Sequence, residues 1–207
     1  MPEKEVVDIR VMRSKKALSE AFIELLKDKD FKDITITEIV SKAGVNRGTF
    51  YKHYSYKEDI LTDIQDHFFG NLTAMLEANY QDICYSSLKT KPLSEAFFVF
   101  IYENKKFFNL AIHSVGFLNF QMHFSAILKD FLIVHFFPNA RFSMKSQNLH
   151  GAYIANGIFG CLVEWDEKNY VSSPVEMAQQ LTDIFILDRS IFKLSQPVIA
   201  LEDELVD

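Results

Sequence analysis

The sequence predicts an all-α protein with a small three-helix headpiece and a larger helical body, about nine helices in total. Two observations point to helices. The 207 residues include only 7 Gly and 5 Pro, which argues against a turn-rich β fold. Apolar side chains also recur every three or four residues along most of the chain. With 48% hydrophobic and 24% charged residues, the composition is that of a globular protein and not of a disordered one.

The first helix is expected over residues 9–28. Its apolar side chains recur at helical spacing: Leu18, Ala21, Phe22, Leu25 and Leu26. A basic cluster stands at its start: Arg10, Arg13, Lys15 and Lys16. Cations there oppose the helix dipole and do not help the helix form. Either some of them reach nucleic-acid phosphates, or they form a solvated face.

The next stretch, residues 34–61, predicts two short helices joined by a tight turn and followed by the start of a third. Thr35 or Thr37 can cap the first of these helices, and Glu38 stands three residues after Thr35, the spacing of a capping box. Gly44 is expected to end that helix in left-handed backbone geometry. Asn46 can then cap the following helix.

That following helix, expected from Arg47 to Tyr54, has two different faces. Phe50 and Tyr54 stand four residues apart and suit packing inward. The remaining positions supply hydrogen-bond donors on the outer face: Arg47, Thr49, Tyr51, Lys52 and His53. Such a helix after a glycine turn is typical of the helix-turn-helix motif, whose second helix enters the major groove of DNA.

Charge is divided unevenly along the chain. The net charge is −6, but residues 1–57 carry +3 and residues 58–207 carry −9. A basic headpiece on an acidic body concentrates the attraction for phosphates at one end of the molecule.

The run TITEIVSKAGVNRGTFYKHYSYKEDIL resembles the N-terminal signature of the TetR family of bacterial transcriptional regulators. The resemblance covers the first third of the chain, about residues 9–62. It supports base contacts from the start of the second helix, backbone contacts around it, and a close approach of the backbone at the glycine. The expected DNA-binding residues are Thr37, Asn46, Arg47, Gly48, Thr49, Tyr51, Lys52, His53 and Lys57.

A long fourth helix is expected from Ser55, as N-cap with Glu58 in a second capping box, to about Tyr80. It would connect the headpiece mechanically to the body. Asp63 and His67, four residues apart on this helix, could form a surface pair or part of a metal site; the pair is the simpler interpretation.

Three aromatic-rich helices are expected at about 93–103, 105–113 and 118–136. Their many Phe residues could fill a core or line a cavity, and ligand pockets are typically apolar with a few placed polar groups. The residues predicted to bind a small molecule are Phe100, His113, Phe117, Phe120, Gln121, Phe124 and Trp165. The histidines show no metal-ligand spacing, so no metal or other cofactor is expected.

The last two helices are expected at about 146–168 and from Pro174 to about Phe192. Their small and apolar faces suit either packing within the chain or a four-helix dimer contact, and the family resemblance favours the dimer. The predicted interface residues are Gly151, Ile154, Ala155, Ile158, Leu181 and Phe185.

These observations divide the chain into a DNA-binding domain (1–55), a ligand-binding and dimerisation domain (56–197) and a disordered acidic tail (198–207). No apolar leader and no apolar run of about 20 residues is present, so a cytoplasmic protein without membrane contact is expected. No nucleophile–base pairing suggests an enzyme. The expected function is a repressor that binds a palindromic double-stranded DNA operator as a homodimer and is released by a small apolar or aromatic effector. The alternative is a ligand-binding or protein-interaction module of the same fold that does not read DNA.

Overall fold

The structure, a computed structural model, describes residues 9–79, 95–114, 117, 119–136 and 144–194; of residues 136 and 185–194 it describes the backbone alone. The described residues form α-helices and one 3-10 turn, with no strand, so the all-α prediction is confirmed. The helices are α1 (Ile9–Leu26), α2 (Ile36–Ala43), α3 (Arg47–Tyr51), α4 (Lys57–Asn79), α5 (Glu95–Glu103), α6 (Lys105–His113), α7 (Phe120–Phe136), α8 (Met144–Glu167) and α9 (Pro174–Leu194). The acidic tail 198–207 lies outside the described residues.

The headpiece is formed by α1, α2 and α3. Helix α1 packs against α2, and the side chains of Phe22, Ile39 and Phe50 are completely buried between the helices. Helix α3 is shorter than predicted and ends at Tyr51 instead of Tyr54. The amide of His53 donates to the carbonyl of Phe50 at 2.9 Å, a tighter, 3-10-like turn that ends the regular α pattern.

Helix α4 runs from the headpiece into the body. The predicted capping box of Ser55 and Glu58 is wrong, because Asp59 performs the capping. Its Oδ2 accepts from the backbone amides of Ser55 at 2.7 Å and Tyr56 at 2.9 Å. A carboxylate there also complements the positive end of the helix dipole.

The body is built around Phe68 of α4. The ring centre of Phe68 lies 4.9 Å from that of Phe107, 5.3 Å from Phe100 and 5.6 Å from Phe120. Helices α7 and α8 pack closely against each other, as do α5 and α9. Most of the aromatic side chains therefore fill a core, in clustered edge-to-face and tilted arrangements.

The inward face of α8 includes three of the residues that the sequence predicts for the dimer interface. Gly151, Ala155 and Ile158 are buried within the chain, and a Cβ at Gly151 would stand 3.1 Å from Lys129 Cγ and 3.3 Å from Ile133 Cγ1 of α7. Leu181 of α9 is buried as well, and Ile154 packs partly buried against the core. Gly151, Ala155, Ile158 and Leu181 therefore pack within the chain and have little surface left for a second copy, whereas Ile154 keeps part of its surface. The side chain of Phe185 is not among those described.

No helix in the described part of the chain combines the length and apolarity that crossing a bilayer requires. Within those same residues, no three His, Cys, Asp or Glu side chains group as a metal ion would need. Asp63 and His67 do not pair with each other: Asp63 bonds Lys15, and the ring of His67 lies 3.1 Å from the amide of Asn71.

Candidate nucleic-acid interface and effector groove

The start of α2 is fixed by the predicted capping box. Thr35 Oγ1 accepts from the amide of Glu38 at 3.3 Å, and Glu38 Oε2 accepts from the amide of Thr35 at 2.9 Å. Lys29 also bonds Glu38, and this bond, followed by those from Thr35, lowers the pKa of Glu38 to about 2. Since Thr35 is the cap, the hydroxyl of Thr37 is left exposed at the first turn of α2.

The turn between α2 and α3 depends on a left-handed residue. Gly44 has φ 67° and ψ 28°, and the next amide, of Val45, donates to the carbonyl of Val40 at 3.0 Å. This is the arrangement of a Schellman helix end. The side chain of Val45 is partly buried and packs against the core between the two helices.

Asn46 caps α3 as predicted. Its Oδ1 accepts from the amide of Thr49 at 2.7 Å and from the Thr49 hydroxyl at 3.0 Å. The structure favours glycine at position 48 for a second reason, besides the expected close approach to DNA. A Cβ on residue 48 would lie 3.2 Å from Asn46 Oδ1 and would crowd the cap.

The two faces of α3 are those expected from the sequence. Phe50 and Tyr54 point inward, with 0% and 4% of their surface exposed. Tyr51 is 55% exposed, its ring edge against Phe50 at 5.3 Å between ring centres. Among the predicted DNA-binding residues, those that are exposed are Thr37, Asn46, Arg47, Gly48, Tyr51 and Lys52, while Thr49 and His53 are half-buried.

Lys57 differs from the other predicted DNA contacts. Its Nζ donates to the carbonyls of Phe31 at 2.7 Å, Lys32 at 3.1 Å and Ile34 at 2.8 Å, and lies 4.6 Å from the centre of the Phe31 ring. An ammonium has three donors, and all three are used here. The predicted role of Lys57 as a phosphate clamp therefore does not fit this structure. Its side chain instead holds the 3-10 turn to α4.

Two features near α3 were not predicted from the sequence: the contact of Tyr54 and Lys15 with Asp63, and the exposure of Tyr56. Tyr54 Oη donates to Asp63 Oδ2 at 2.7 Å, and Lys15 Nζ bonds Asp63 Oδ1 at 2.7 Å. Burial by itself raises the pKa of Asp63, but the bonds from Lys15 and Tyr54 outweigh it and hold that pKa below its ordinary value. The second is Tyr56, 69% exposed just before α4 and one residue from the start of that helix. No pattern in the sequence indicated that Tyr54, Lys15 and Asp63 meet, or pointed to Tyr56.

Groove A is an open space lined by α6, α7 and α8, with a volume of about 890 Å³. Four of the seven predicted ligand-binding residues line it: His113, Phe117, Phe120 and Gln121. The other three do not. Phe124 and Trp165 are buried in the core at 0% and 2% exposure, and Phe100 packs on Phe68.

The lining of groove A also contains polar residues that sequence reasoning missed. The hydroxyl of Ser125 on α7 donates to Asn156 Oδ1 on α8 at 3.2 Å, and Phe159 adds an apolar ring beside them. Polar residues inside otherwise apolar helices were the available signal. Groove A thus combines apolar rings with a few polar groups, as small-molecule sites do.

A capped helix-turn-helix headpiece on a helical body with its own groove defines a class, the helix-turn-helix transcriptional regulators. Residues 14–64 match the family model described as bacterial regulatory proteins, tetR family, and residues 89–186 match the model described as transcriptional regulator C-terminal region. The chain belongs to the TetR family of bacterial transcriptional regulators.

One relative agrees with this chain in sequence over a short stretch. The chain is 45% identical over 56 residues to the HTH-type transcriptional regulator YxbF of Bacillus subtilis, a match that spans 27% of this chain and only 15% of that protein. A TetR-family regulator from Syntrophomonas wolfei has a similar fold, with TM-score 0.64, 13% identity and coverage of 91% of this chain and 99% of the other. The dihydroxyacetone kinase operon activator DhaS is also similar, with TM-score 0.59, 18% identity and coverage of 86% and 97%.

Proposed function

We propose that this protein is a ligand-responsive repressor, which binds a palindromic operator as a homodimer and leaves it when a small apolar or aromatic molecule occupies groove A. The observation that carries the proposal is the geometry of α3 and the turn after it. Phe50 and Tyr54 anchor the inner side of this segment, while Arg47, Tyr51 and Lys52 are exposed on the outside. A short helix fixed in this way presents a defined set of side chains to the major groove.

The exposed residues divide by chemistry. Arg47 at the start of α3 can bind guanine O6 and N7 with two hydrogen bonds, and Thr49 can reach a base edge beside it. Lys52 and Tyr51 suit phosphates and thymine methyl groups, and His53 stands next to them. Thr37 at the start of α2 suits a phosphate, where the helix amides add to its hydroxyl.

The effector part of the proposal rests on groove A. Phe117, Phe120 and Phe159 line it but are at most 5% exposed, while His113 and Asn156 supply polar groups at its walls. A ligand changes operator binding only if it prefers one state of the protein. Helix α4 offers a route, because it packs against α1 in the headpiece and against α5 and α7 in the body.

The homodimer is proposed through the outward face of α8. Leu149 and Tyr153 are 74% and 62% exposed there, and a Cβ at Gly157 or Gly160 would meet nothing within 4 Å. Ile184 on the neighbouring α9 is 45% exposed. Two copies joined at this face would carry two headpieces, which must stand about 34–36 Å apart, or a multiple, to reach successive half-sites.

The proposed dimer face can be tested by placing a large side chain on it and measuring the size of the particle in solution. Gly157→Trp should give a monomer in sedimentation velocity at concentrations where the natural protein is a dimer. Gly70→Trp is the matched control, because Gly70 is equally open but lies on α4. If the Gly157→Trp protein still sedimented as a dimer, the dimer interface would lie on another face of the molecule.

The DNA-reading function is tested by selecting genomic fragments with the purified protein at one fixed salt concentration, after any bound ligand has been stripped. An enriched palindrome is expected, and it should disappear with Tyr51→Ala plus Lys52→Ala. Lys145→Ala is the control, since it removes a positive charge from exposed α8 and not from the headpiece. No enrichment with the natural protein would favour a ligand-binding or protein-interaction module that does not read DNA.

The effector is sought by thermal melting against a panel of small apolar and aromatic compounds, since a ligand that binds only the folded protein raises the melting temperature. A true effector must also weaken operator binding at constant salt. Both effects should disappear in Ala152→Trp, which puts a large ring into groove A. A compound that binds tightly and leaves operator affinity unchanged would contradict the switching role.

A further inference from the structure

A carboxylate lies buried at the contact between α6 and α8. Asp166 of α8 is 4% exposed, and among the described residues it is the one buried residue that carries a formal charge at neutral pH. Such a group is costly to bury unless it is paired and hydrogen-bonded. The partners come from α6: Asn109 Nδ2 donates to the two carboxylate oxygens at 3.1 and 2.9 Å, and His113 Nε2 lies 3.0 Å from Oδ2. Because an ionised carboxylate only accepts, the histidine nitrogen is the donor.

The hydroxyl of Tyr170 is buried in the same place. It makes no hydrogen bond to any described residue. Burial, and then the neighbouring Asp166 carboxylate, raise the pKa of this hydroxyl. Both Asn169 and Tyr170 have positive φ angles, 54° and 57°, so the chain turns sharply to bring Tyr170 back beside Asp166.

This cluster stands between two open spaces. Groove B lies between headpiece and body, has a volume of about 1380 Å³, and is lined by residues 26–33 of the headpiece together with Asn109, His113, Asp166 and Tyr170. His113 lines groove A as well. The end of α6 is therefore a shared wall of both grooves, and α6 also packs directly against α1.

We propose that Asn109, His113 and Asp166 form a latch that holds α6 in its DNA-competent position, and that an effector in groove A opens the latch by drawing the ring of His113 away from Asp166. This inference rests on the proposed function and names the residues that transmit it. With the ring withdrawn, the buried carboxylate loses one of its two partners. Water from groove B can then hydrate the carboxylate, which weakens the bonds from Asn109 and lets α6 move relative to α8. Because α6 touches α1, that movement shifts the headpiece.

Asn109 and His113 act here as positioning residues, since they reach DNA only through α6. The alternative is that the cluster merely satisfies a polar group in the core. That role would lower stability when the cluster is broken, without a specific effect on DNA binding or on the motion of α6. The two roles can be separated by comparing variants that differ in whether a donor remains.

The experiment uses the full-length protein and its selected operator at one salt concentration. His113→Leu removes the donor, whereas His113→Gln keeps an amide donor at comparable reach. Lys168→Ala is the matched control, because it removes a polar pair from the same end of α8, on the solvent side. We expect His113→Leu to weaken operator binding at least tenfold. His113→Gln and Lys168→Ala should stay within about threefold of the natural protein.

Amide hydrogen exchange supplies a readout that does not need DNA. His113→Leu should speed exchange in α6 and α1, with α2 unchanged, and His113→Gln should restore the slow rates. Equal operator affinity for His113→Leu and the natural protein, or exchange that rises uniformly along the chain, would overturn the latch. Absence of any operator for the natural protein would instead refute the proposed function, and the exchange pattern would still decide whether the latch controls α6.

Discussion

The hydroxyl of Tyr54 donates to the carboxylate of Asp63 at 2.7 Å, and this bond joins the segment that follows α3 to helix α4. Lys15 of α1 bonds the other oxygen of the same carboxylate and lies 5.4 Å from the centre of the Tyr54 ring. One carboxylate thus connects three elements of the headpiece. We expect a movement of α4 that shifts Asp63 to act on Tyr54, in the segment that follows α3.

Tyr54→Phe should therefore loosen the headpiece without opening its core. The ring still fills its buried site, and only the hydroxyl bond is removed, so the free energy of unfolding should fall by about 1 kcal/mol. Chemical denaturation measures this. Tyr56→Phe is the control, since Tyr56 is 69% exposed, and its unfolding free energy should not change. Equal effects from both variants would show that the Tyr54–Asp63 bond contributes nothing specific.

The same carboxylate predicts a pH dependence of stability. Its pKa is lowered in the folded protein, so its stabilising contribution is complete above the ordinary aspartate range, near pH 4, and is lost as the pH falls through the folded pKa. Asp63→Asn should cost on the order of 1 kcal/mol at pH 7, because its side chain is 38% exposed and solvent screens the pair with Lys15.

Denaturation of both proteins from pH 7 to pH 2 measures this difference, which should shrink below about pH 4. Asp66→Asn is the control, a carboxylate exposed on the same helix. A difference between Asp63→Asn and the natural protein that stays constant across the whole range would refute the assignment.

Two lysines close in sequence should give opposite results. Lys57→Met removes an ammonium that satisfies three carbonyls, so it should destabilise the protein by about 1–3 kcal/mol. Lys52→Met removes an exposed charge and should leave stability nearly unchanged. In the operator complex, Lys52→Met should weaken binding and lower the slope of log K against log salt by about 1 for each phosphate that the lysine no longer neutralises.

Binding measured from about 50 to 200 mM salt, together with urea unfolding, distinguishes the two lysines. A Lys57→Met protein of natural stability but reduced salt slope would show that Lys57 binds a phosphate after all.

Local interactions made the headpiece predictable. Thr35 with Glu38, Gly44, and Asn46 each act within a few residues of their own position, so the chemistry of one short segment fixes them. The inward positions of Phe50 and Tyr54 follow from helical spacing in the same way.

Long-range partners were not predictable. Lys57 has the sequence position of a phosphate-binding residue, and only the folded chain shows that carbonyls of residues 31, 32 and 34 surround its ammonium. Helix α8 has small or apolar residues on two faces, and the sequence cannot say which of them meets α7. Gly151 and Ala155, predicted for the dimer interface, instead pack inside the chain. The pairing of Asp166 with Asn109, 57 residues away, left no local signal.

Alanine substitutions at two glycines should change the free energy of unfolding in opposite directions. Gly44 has φ +67°, where an L side chain is strained although nothing lies within 4 Å of its Cβ position, so Gly44→Ala should lower the free energy of unfolding by about 1 kcal/mol. Gly70 also has open space around its Cβ position but stands inside α4, so Gly70→Ala should raise it by about 0.5–1 kcal/mol. Urea denaturation of both variants measures the difference.

Gly44→Asn should recover part of the loss, because asparagine tolerates left-handed geometry. If Gly44→Ala were as stable as the natural protein, the turn would not depend on left-handed backbone, and the angle between α2 and α3 would have to be set by Val45 alone.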